Sequence, residues 1–361
     1  MDIPIYSSAG CLNRKQKKFI CTRCVDICPE KVFSLDPKEK LKWDKCSSCG
    51  LCVSACPSQC FVPGALTQSE LADGLSPGQP VSFGCYKEDE FRDKPVECLA
   101  GVPWEWLAVV AMYTDVVLYI GHCDECEHSE RAELLMRNLE RVKAFLGDEL
   151  FYERVHLLTE GVYKENAVAE RRVSRREIFS DMTKSVAKSL YRVAASRTPF
   201  LEEKDINDVL KYRRLLASAA AKVKNASSRQ DLPEKKTAEE PVSWKGPDVF
   251  SLDLPQFVRG CYGCGICEKI CPNKAVEIAK EENGKRLIYI TPWKCTACGL
   301  CSYVCPHGGL SGMTQVKVPY LEKLPYVRVE TASCASCGIA IKPDGEEYCP
   351  SCKLKNKRPR R

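Results

Sequence analysis

A chain of 361 residues has room for two or three domains, and 25 cysteines are far more than an ordinary intracellular protein carries. They belong either to the disulfide framework of a secreted chain or to metal sites in a reducing compartment. The formal charge of +6 is concentrated in residues 161–230 and in the tail, so it implies no chain-wide basic surface.

The opening stretch, MDIPIYSSAGCLNRKQKKFICTRC, lacks the apolar centre of a signal peptide, and the expected compartment is the cytoplasm. Cys46-x2-Cys49-x2-Cys52-x3-Cys56-Pro57 is a complete metal-binding run. Upstream, Cys21-x2-Cys24-x3-Cys28-Pro29 supplies the last three positions of another, with Lys18 where its first cysteine would stand. Such a run presents three thiolates from one tight loop to three corners of a [4Fe–4S] cluster, and the cysteine before proline crosses to a neighbouring cluster. One cluster is then expected on Cys46, Cys49, Cys52 and Cys28. The other is expected on Cys21, Cys24, Cys56 and Cys11, which a longer loop returns to the remaining corner. Cys60 competes for that corner, but Phe61 and Val62 follow it and it reads as a small core hydrophobe. Residues 1–62 form this first module.

Residues 63–80, rich in Gly, Pro and Ser, read as a connector. Beyond them Val81–Phe83, Pro95–Val96, Val116–Ile120 and Val155–Leu158 have strand character, and Val102–Met112 and Glu130–Leu146 have helix character. The apolar runs here are too short to cross a bilayer, so no integral membrane segment is expected. Strands alternating with helices predict a small α/β domain over 80–160. Its four cysteines, Cys85, Cys98, Cys123 and Cys126, each fall at or just after a strand. Open α/β sheets bind ligands outside the carboxyl ends of their strands. Convergence of the four would make a [2Fe–2S], [4Fe–4S] or zinc site. The polar stretch GHCDECEH over 121–128 is unlike core, and His122 and His128 flank the site. A redox dithiol of Cys123 and Cys126 is the other reading.

Residues 161–224 are basic and helical, with an alanine-rich helix over Leu210–Val223. They fit a docking surface for an acidic partner or anionic membrane surface, or a solvated helical face lying over neighbouring modules. The internal Arg-Arg-Val-Ser-Arg-Arg stretch has no apolar run after it and is no export signal. Residues 225–247 have linker composition. A second module follows over 248–312: Cys261-x2-Cys264-x2-Cys267-x3-Cys271-Pro272 and Cys295-x2-Cys298-x2-Cys301-x3-Cys305-Pro306. By the same crossing, one cluster is expected on Cys261, Cys264, Cys267 and Cys305, and the other on Cys295, Cys298, Cys301 and Cys271. Over 330–354, Cys334-x2-Cys337 and Cys349-x2-Cys352 read as a zinc ribbon, with rubredoxin-type iron the alternative. A basic tail, 355–361, closes the sequence.

Each end module resembles the bacterial two-cluster [4Fe–4S] ferredoxin family, at every motif position except Lys18. Residues 81–160 resemble the delta subunit of methyl-viologen-reducing hydrogenases, on Cys85, on Cys98 within Val-Glu-Cys-Leu-Ala-Gly, and on Cys123 with Cys126. The terminal pair is tighter than in that family, and no second cysteine follows Cys85. The resemblance implies redox partners of hydrogenase, dehydrogenase or heterodisulfide-reductase type in anaerobic metabolism. The expected fold is α+β: two ferredoxin-like modules flank a small α/β domain and a helical segment, with a zinc ribbon at the end. The expected function is single-electron relay through four [4Fe–4S] clusters, with an additional [2Fe–2S] or [4Fe–4S] centre and one zinc. A catalytic, heterodisulfide-reductase-like subunit is the alternative, although no Gly-rich nucleotide loop is present. A redox-sensing nucleic-acid regulator is a third reading. It needs strongly salt-dependent binding, and nucleic acid is not the expected partner.

Overall fold

The computed structural model of the chain describes residues 3–6, 11–15, 21–36, 39, 41–62, 79–86, 94–123, 126, 129–159, 211–227, 250–281 and 284–356. The connector at 63–78, the basic stretch 161–210, the linker residues 228–247 and the end of the tail lie outside them. Two compact units result. The first holds the described residues up to 227 apart from Lys15, and the second holds those from 250 onward.

In the first unit, β1 (Ile5–Tyr6) pairs antiparallel with β2 (Phe61–Val62), which brings the two ends of the first cysteine-rich stretch together. Phe61 stacks on Tyr6 at 5.0 Å and meets Phe33 edge-on at 5.1 Å. Between the strands lie three short helices, α1 (Leu12–Lys15), α2 (Arg23–Ile27) and α3 (Leu51–Ala55). A proline limits α2 and α3. Cys28 and Cys56 precede Pro29 and Pro57, and a residue before proline is pushed out of the helical region. Both cysteines are extended, with ψ of 110° and 112°.

The α/β part follows the sequence expectation closely. Its strands are β3 (Val81–Gly84), β4 (Lys94–Pro95), β5 (Val116–Tyr119) and β6 (Val155–Leu158), all parallel, in the order β4-β3-β5-β6. Every residue of β3 and β5 is buried, as in strands covered on both faces. Helix α4 (Trp104–Tyr113) is apolar except for Glu105 and Tyr113 and is buried from Trp104 to Met112, which makes it a core helix. Helix α5 (Ser129–Leu146) is amphipathic and buries Leu134, Leu135, Leu139, Val142, Phe145 and Leu146. A further helix, α6 (Asp148–Arg154), leads into β6. Helix α7 (Lys211–Ser227) packs on α4 and buries Tyr212, Arg213 and all of Leu215–Ala220. Residues 212–220 thus lie over neighbouring parts of the unit: alanines let two helices approach closely, and this buried face is neither solvated nor left open for docking.

In the second unit, β7 (Phe250–Phe257) pairs antiparallel with β10 (Leu310–Val318), with a bulge between Leu310 and Met313. Within the segment they bracket are α8 (Ile266–Ile270), the hairpin of β8 (Val276–Lys280) and β9 (Lys285–Ile290), and α9 (Leu300–Tyr303). Strand β11 (Leu324–Glu330) adds to β9, giving the order β11-β9-β8. Val276, Ile288 and Leu310 pack around Cys267 at the centre. A hairpin of β12 (Ala332–Ser333) and β13 (Ala340–Ile341) and a final helix α10 (Pro350–Asn356) carry the last four cysteines. No helix among the described residues is long and apolar enough to cross a membrane.

Candidate metal centres

The four Cys-Pro turns share one local design. Three residues after Cys28, Cys56, Cys271 and Cys305, the backbone turns left-handed, at Lys31, Gln59, Lys274 and Gly308, with φ of 48°, 52°, 50° and 62°. That turn aims the next amide back at the cysteine sulfur. Val32, Cys60, Ala275 and Gly309 donate N–H to the Sγ atoms of Cys28, Cys56, Cys271 and Cys305 at 3.5, 3.4, 3.3 and 3.2 Å. Amides pointed at sulfur stabilise thiolate charge, which is what a cluster ligand needs.

The sulfurs lie close enough to act on one another. In the second unit, burial raises the Cys261 and Cys267 thiols, the latter to about 12; Cys264 adds to both, Cys305 also acts on Cys261, and Cys261 and Cys301 act on Cys267. Burial likewise raises Cys295 to about 12 and Cys301 to about 11, with Cys298 and Cys271 adding to both. The cysteine before each proline thus lies beside the other run's sulfurs. In the first unit, burial raises Cys52, with Cys49, Cys46, Cys28 and, last, Cys24 adding to it. Cys28, Cys46, Cys49 and Cys52 line one cavity, walled by Phe33 and Leu51. Burial raises Cys24 to about 12, with Cys56, Cys21 and Cys11 adding. Cys60 stands against this last group, its thiol hydrogen-bonded to Cys11 and Cys56. Hydrogen bonds from that thiol, then from the Cys60 and Ser58 amides, bring Cys56 down to about 7. The imperfect run also departs in its loop. Gly50, Gly265 and Gly299 follow the middle cysteine of the complete runs with φ of 74°, 86° and 78°. The equivalent Thr22 is right-handed, with φ of −104°.

In the α/β part, Cys85 follows β3, Cys98 follows β4, and Cys123 and Cys126 follow β5. All four line one cavity beyond the carboxyl ends of the three strands, together with His122 and Arg131. Burial raises the Cys98 thiol, and the Ala100 amide and Arg131 pull against it. His128 lies outside the described residues.

Comparison with family models matches residues 260–309 to a 4Fe-4S dicluster domain and residues 40–62 to a 4Fe-4S binding domain. These are ferredoxin-type 4Fe-4S domains. The imperfect run at Cys21–Pro29, the α/β cysteines and the last four cysteines fall outside the matched segments. No curated protein matches the chain. The amide-lined turns of the ferredoxin-type domains and their buried groups of four thiols fit iron–sulfur clusters, and such domains point to an electron-transfer role.

The final cysteines are arranged differently from those domains. The sulfurs of Cys334, Cys337, Cys349 and Cys352 all lie within 4.8 Å of one another. Among the described residues no other group of three or more metal-ligating side chains is drawn so tightly. Tetrahedral zinc with Zn–S bonds of about 2.3 Å sets its sulfurs about 3.8 Å apart, and Cys337 and Cys349 stand at 3.7 Å. The first pair sits at the tip of the β12–β13 hairpin and the second at the start of α10. N–H groups of Cys349, Cys337 and Ser336 bring Cys334 down to about 6. The group can bind a single metal ion.

Sequence reasoning missed Gln59. It is buried at the left-handed turn after Cys56 and accepts the Tyr212 amide at 3.0 Å. Its amide nitrogen donates to Glu105 at 3.2 Å. A glutamine among turn residues carries no sequence signal of such a role.

Proposed function

We propose that the chain is a cytoplasmic iron–sulfur relay. It passes single electrons through four [4Fe–4S] clusters between partner oxidoreductases of anaerobic metabolism. The crossed groups of four thiols within residues 260–309 carry this reading, and the same turn geometry recurs around Cys28 and Cys56. Such a relay makes and breaks no bonds. The protein's part is to hold each cluster, bury it, and set its potential through amide and charge contacts.

In this reading the clusters sit on Cys261, Cys264, Cys267 and Cys305; on Cys295, Cys298, Cys301 and Cys271; on Cys46, Cys49, Cys52 and Cys28; and on Cys21, Cys24, Cys56 and Cys11. The α/β cavity holds a fifth centre on Cys85, Cys98, Cys123 and Cys126. Four thiols lining one cavity support a [2Fe–2S] or [4Fe–4S] cluster ahead of zinc. The resemblance to the hydrogenase delta subunit belongs to this proposal and names the partner class: hydrogenase, dehydrogenase or heterodisulfide-reductase-like subunits. Cys334, Cys337, Cys349 and Cys352 hold zinc.

Iron, sulfide and zinc analysis of anaerobically purified protein tests the assignment. The expected result is about sixteen irons from the four ferredoxin-type clusters, the fifth centre's iron in addition, and one zinc. Cys11→Ser should remove about four irons and Cys60→Ser none. Iron sufficient for only one two-cluster module would sink the relay.

A further inference from the structure

The α/β cavity and the Cys28/Cys46/Cys49/Cys52 site are built against each other. Cys98 opens the turn Leu99–Gly101, and Cys49 opens the turn into α3. A Cβ placed on Gly101 would sit 2.2 Å from the Cys49 carbonyl oxygen and 2.9 Å from the Gly50 carbonyl carbon. Only a glycine allows the two backbones this approach. Cys98 is three residues from one side of the contact, and Cys49 is at the other.

Helix α5 holds the contact in place. The Asn138 side chain, fully buried, donates to Ser54 Oγ on α3 at 2.7 Å. It also reaches the Ala100 and Val102 carbonyls at 3.5 and 3.4 Å. It therefore ties the cluster helix to the turn that carries Cys98. Arg131 lies seven residues earlier, two turns along the same helix face. It lines the α/β cavity, and its charge acts on Cys49 as well as on Cys98. Its Nε is buried and has no acceptor among the described residues. A buried guanidinium N–H left without a partner is costly, and a thiolate or sulfide sulfur in the cavity would satisfy it.

We propose that the α/β cysteine cavity and the Cys28/Cys46/Cys49/Cys52 site form one electron-exchange junction, with Arg131 as a positively charged positioning residue shared by the two centres. This rests on the reading of the cavity as an iron–sulfur centre. One electron leaves the reduced centre and enters its oxidised neighbour; no bond forms and no proton is exchanged. Each reduction adds a negative charge, and a shared cation favours the reduced form of both centres. The junction makes the α/β centre a port through which electrons enter or leave the first ferredoxin-type site.

The test uses the full chain, purified anaerobically and reduced stepwise with dithionite under EPR. Cys126→Ser should lose the iron of one centre. Unchanged iron would overturn the cavity reading, and the junction with it. With that loss observed, Arg131→Gln should lower the midpoint potentials of two centres. At a fixed potential the ratio of reduced to oxidised cluster should fall about tenfold at each, about 59 mV for a one-electron couple. Arg131→Lys should recover most of that shift. A shift at one centre alone, or at none, overturns the junction while leaving the cavity reading intact. Should Arg131→Gln lose its iron, the unmodified protein decides. The two reduced centres should broaden each other's signals, and Cys126→Ser should remove that contribution, leaving only the broadening between the two clusters of the first module. Sharp, independent signals overturn the proposal.

Discussion

Three residues, Lys31, Gln59 and Lys274, hold a left-handed conformation where the fourth repeat has Gly308. An L side chain pays roughly 1–2 kcal/mol there. The turn survives because each one points the following amide at a cysteine sulfur. Glycine at Lys274 would relieve that strain but adds about 0.5–1 kcal/mol of unfolded-chain freedom, so Lys274→Gly should be nearly neutral. Lys274→Val places a β-branched side chain where it fits worst, and should cost about 1–2 kcal/mol. It should also hasten iron loss by weakening the Ala275 hydrogen bond to Cys271. Denaturant unfolding of the anaerobic protein measures the difference; equal stability for Val and Gly would remove the argument. The complete cysteine runs were already legible as ferredoxin-type 4Fe-4S motifs, because spacing is a direct record of loop size. The left-handed turns were not, since lysine and glutamine carry no mark of the φ they adopt. Cys60 shows the same limit. Its burial was readable from Phe61 and Val62, but its hydrogen bonds to Cys11 and Cys56 depend on a pairing of β1 with β2 that two-residue strands do not announce.

At the scale of elements, α4 and α7 fasten the first cysteine-rich module to the α/β part. Arg213 Nε meets Glu105 Oε1 at 3.1 Å with both side chains nearly buried, and the guanidinium lies 4.9 Å from the centre of the Trp104 ring. Gln59 adds a donor to the same carboxylate oxygen, and the Tyr212 hydroxyl donates to the Phe61 carbonyl at 2.8 Å. Removing one partner of a buried pair strands the other charge, at about 3–5 kcal/mol, whereas replacing both with apolar groups is often close to neutral. Arg213→Ala should therefore lower the stability of the first unit by about that amount, and Glu105→Leu with Arg213→Met should recover most of it. Thermal unfolding followed by far-UV CD separates these outcomes; an equal loss in the double variant would show that packing, not charge, sets the cost. The strands β3, β5 and β6 and the helices α4 and α5 were legible from apolar patterning. The partnership of α7 with α4 was not. Basic residues around an alanine-rich stripe signal an amphipathic helix without saying what covers its apolar side, and the burial of Arg213 reverses the usual expectation for arginine.

Across the whole molecule, metal does different amounts of structural work in different places. The α/β part has a covered parallel sheet and a buried, mostly apolar helix, enough to fold around its cysteines. The last segment has Ile341 and three buried cysteines in its core, with Ala332 and Tyr348 packed against them, and a piece that small would depend on a metal bound at the proposed zinc site for folding energy. A zinc-selective chelator should therefore unfold residues 332–352 and leave the iron centres and the β7–β10 pair intact. Hydrogen exchange read by mass spectrometry locates the change; loss of protection over 250–318 as well would show that the segment supports its neighbours. The pH dependence has a definite sign. Amide donors lower Cys334 from 9.0 to about 6, so the stabilisation its thiolate brings is complete above pH 9 and is lost as pH falls through about 6. Zinc binds the thiolate and competes with the proton. Despite the Ile339 amide, Cys337 is pushed up to about 12 by its neighbouring thiols and burial, and binds its proton more tightly. Acid should therefore release zinc, with the loss under way by about pH 6 as Cys334 also takes up its proton. Zinc release that begins well above pH 7 would mean that Cys334 does not set the site's acid limit.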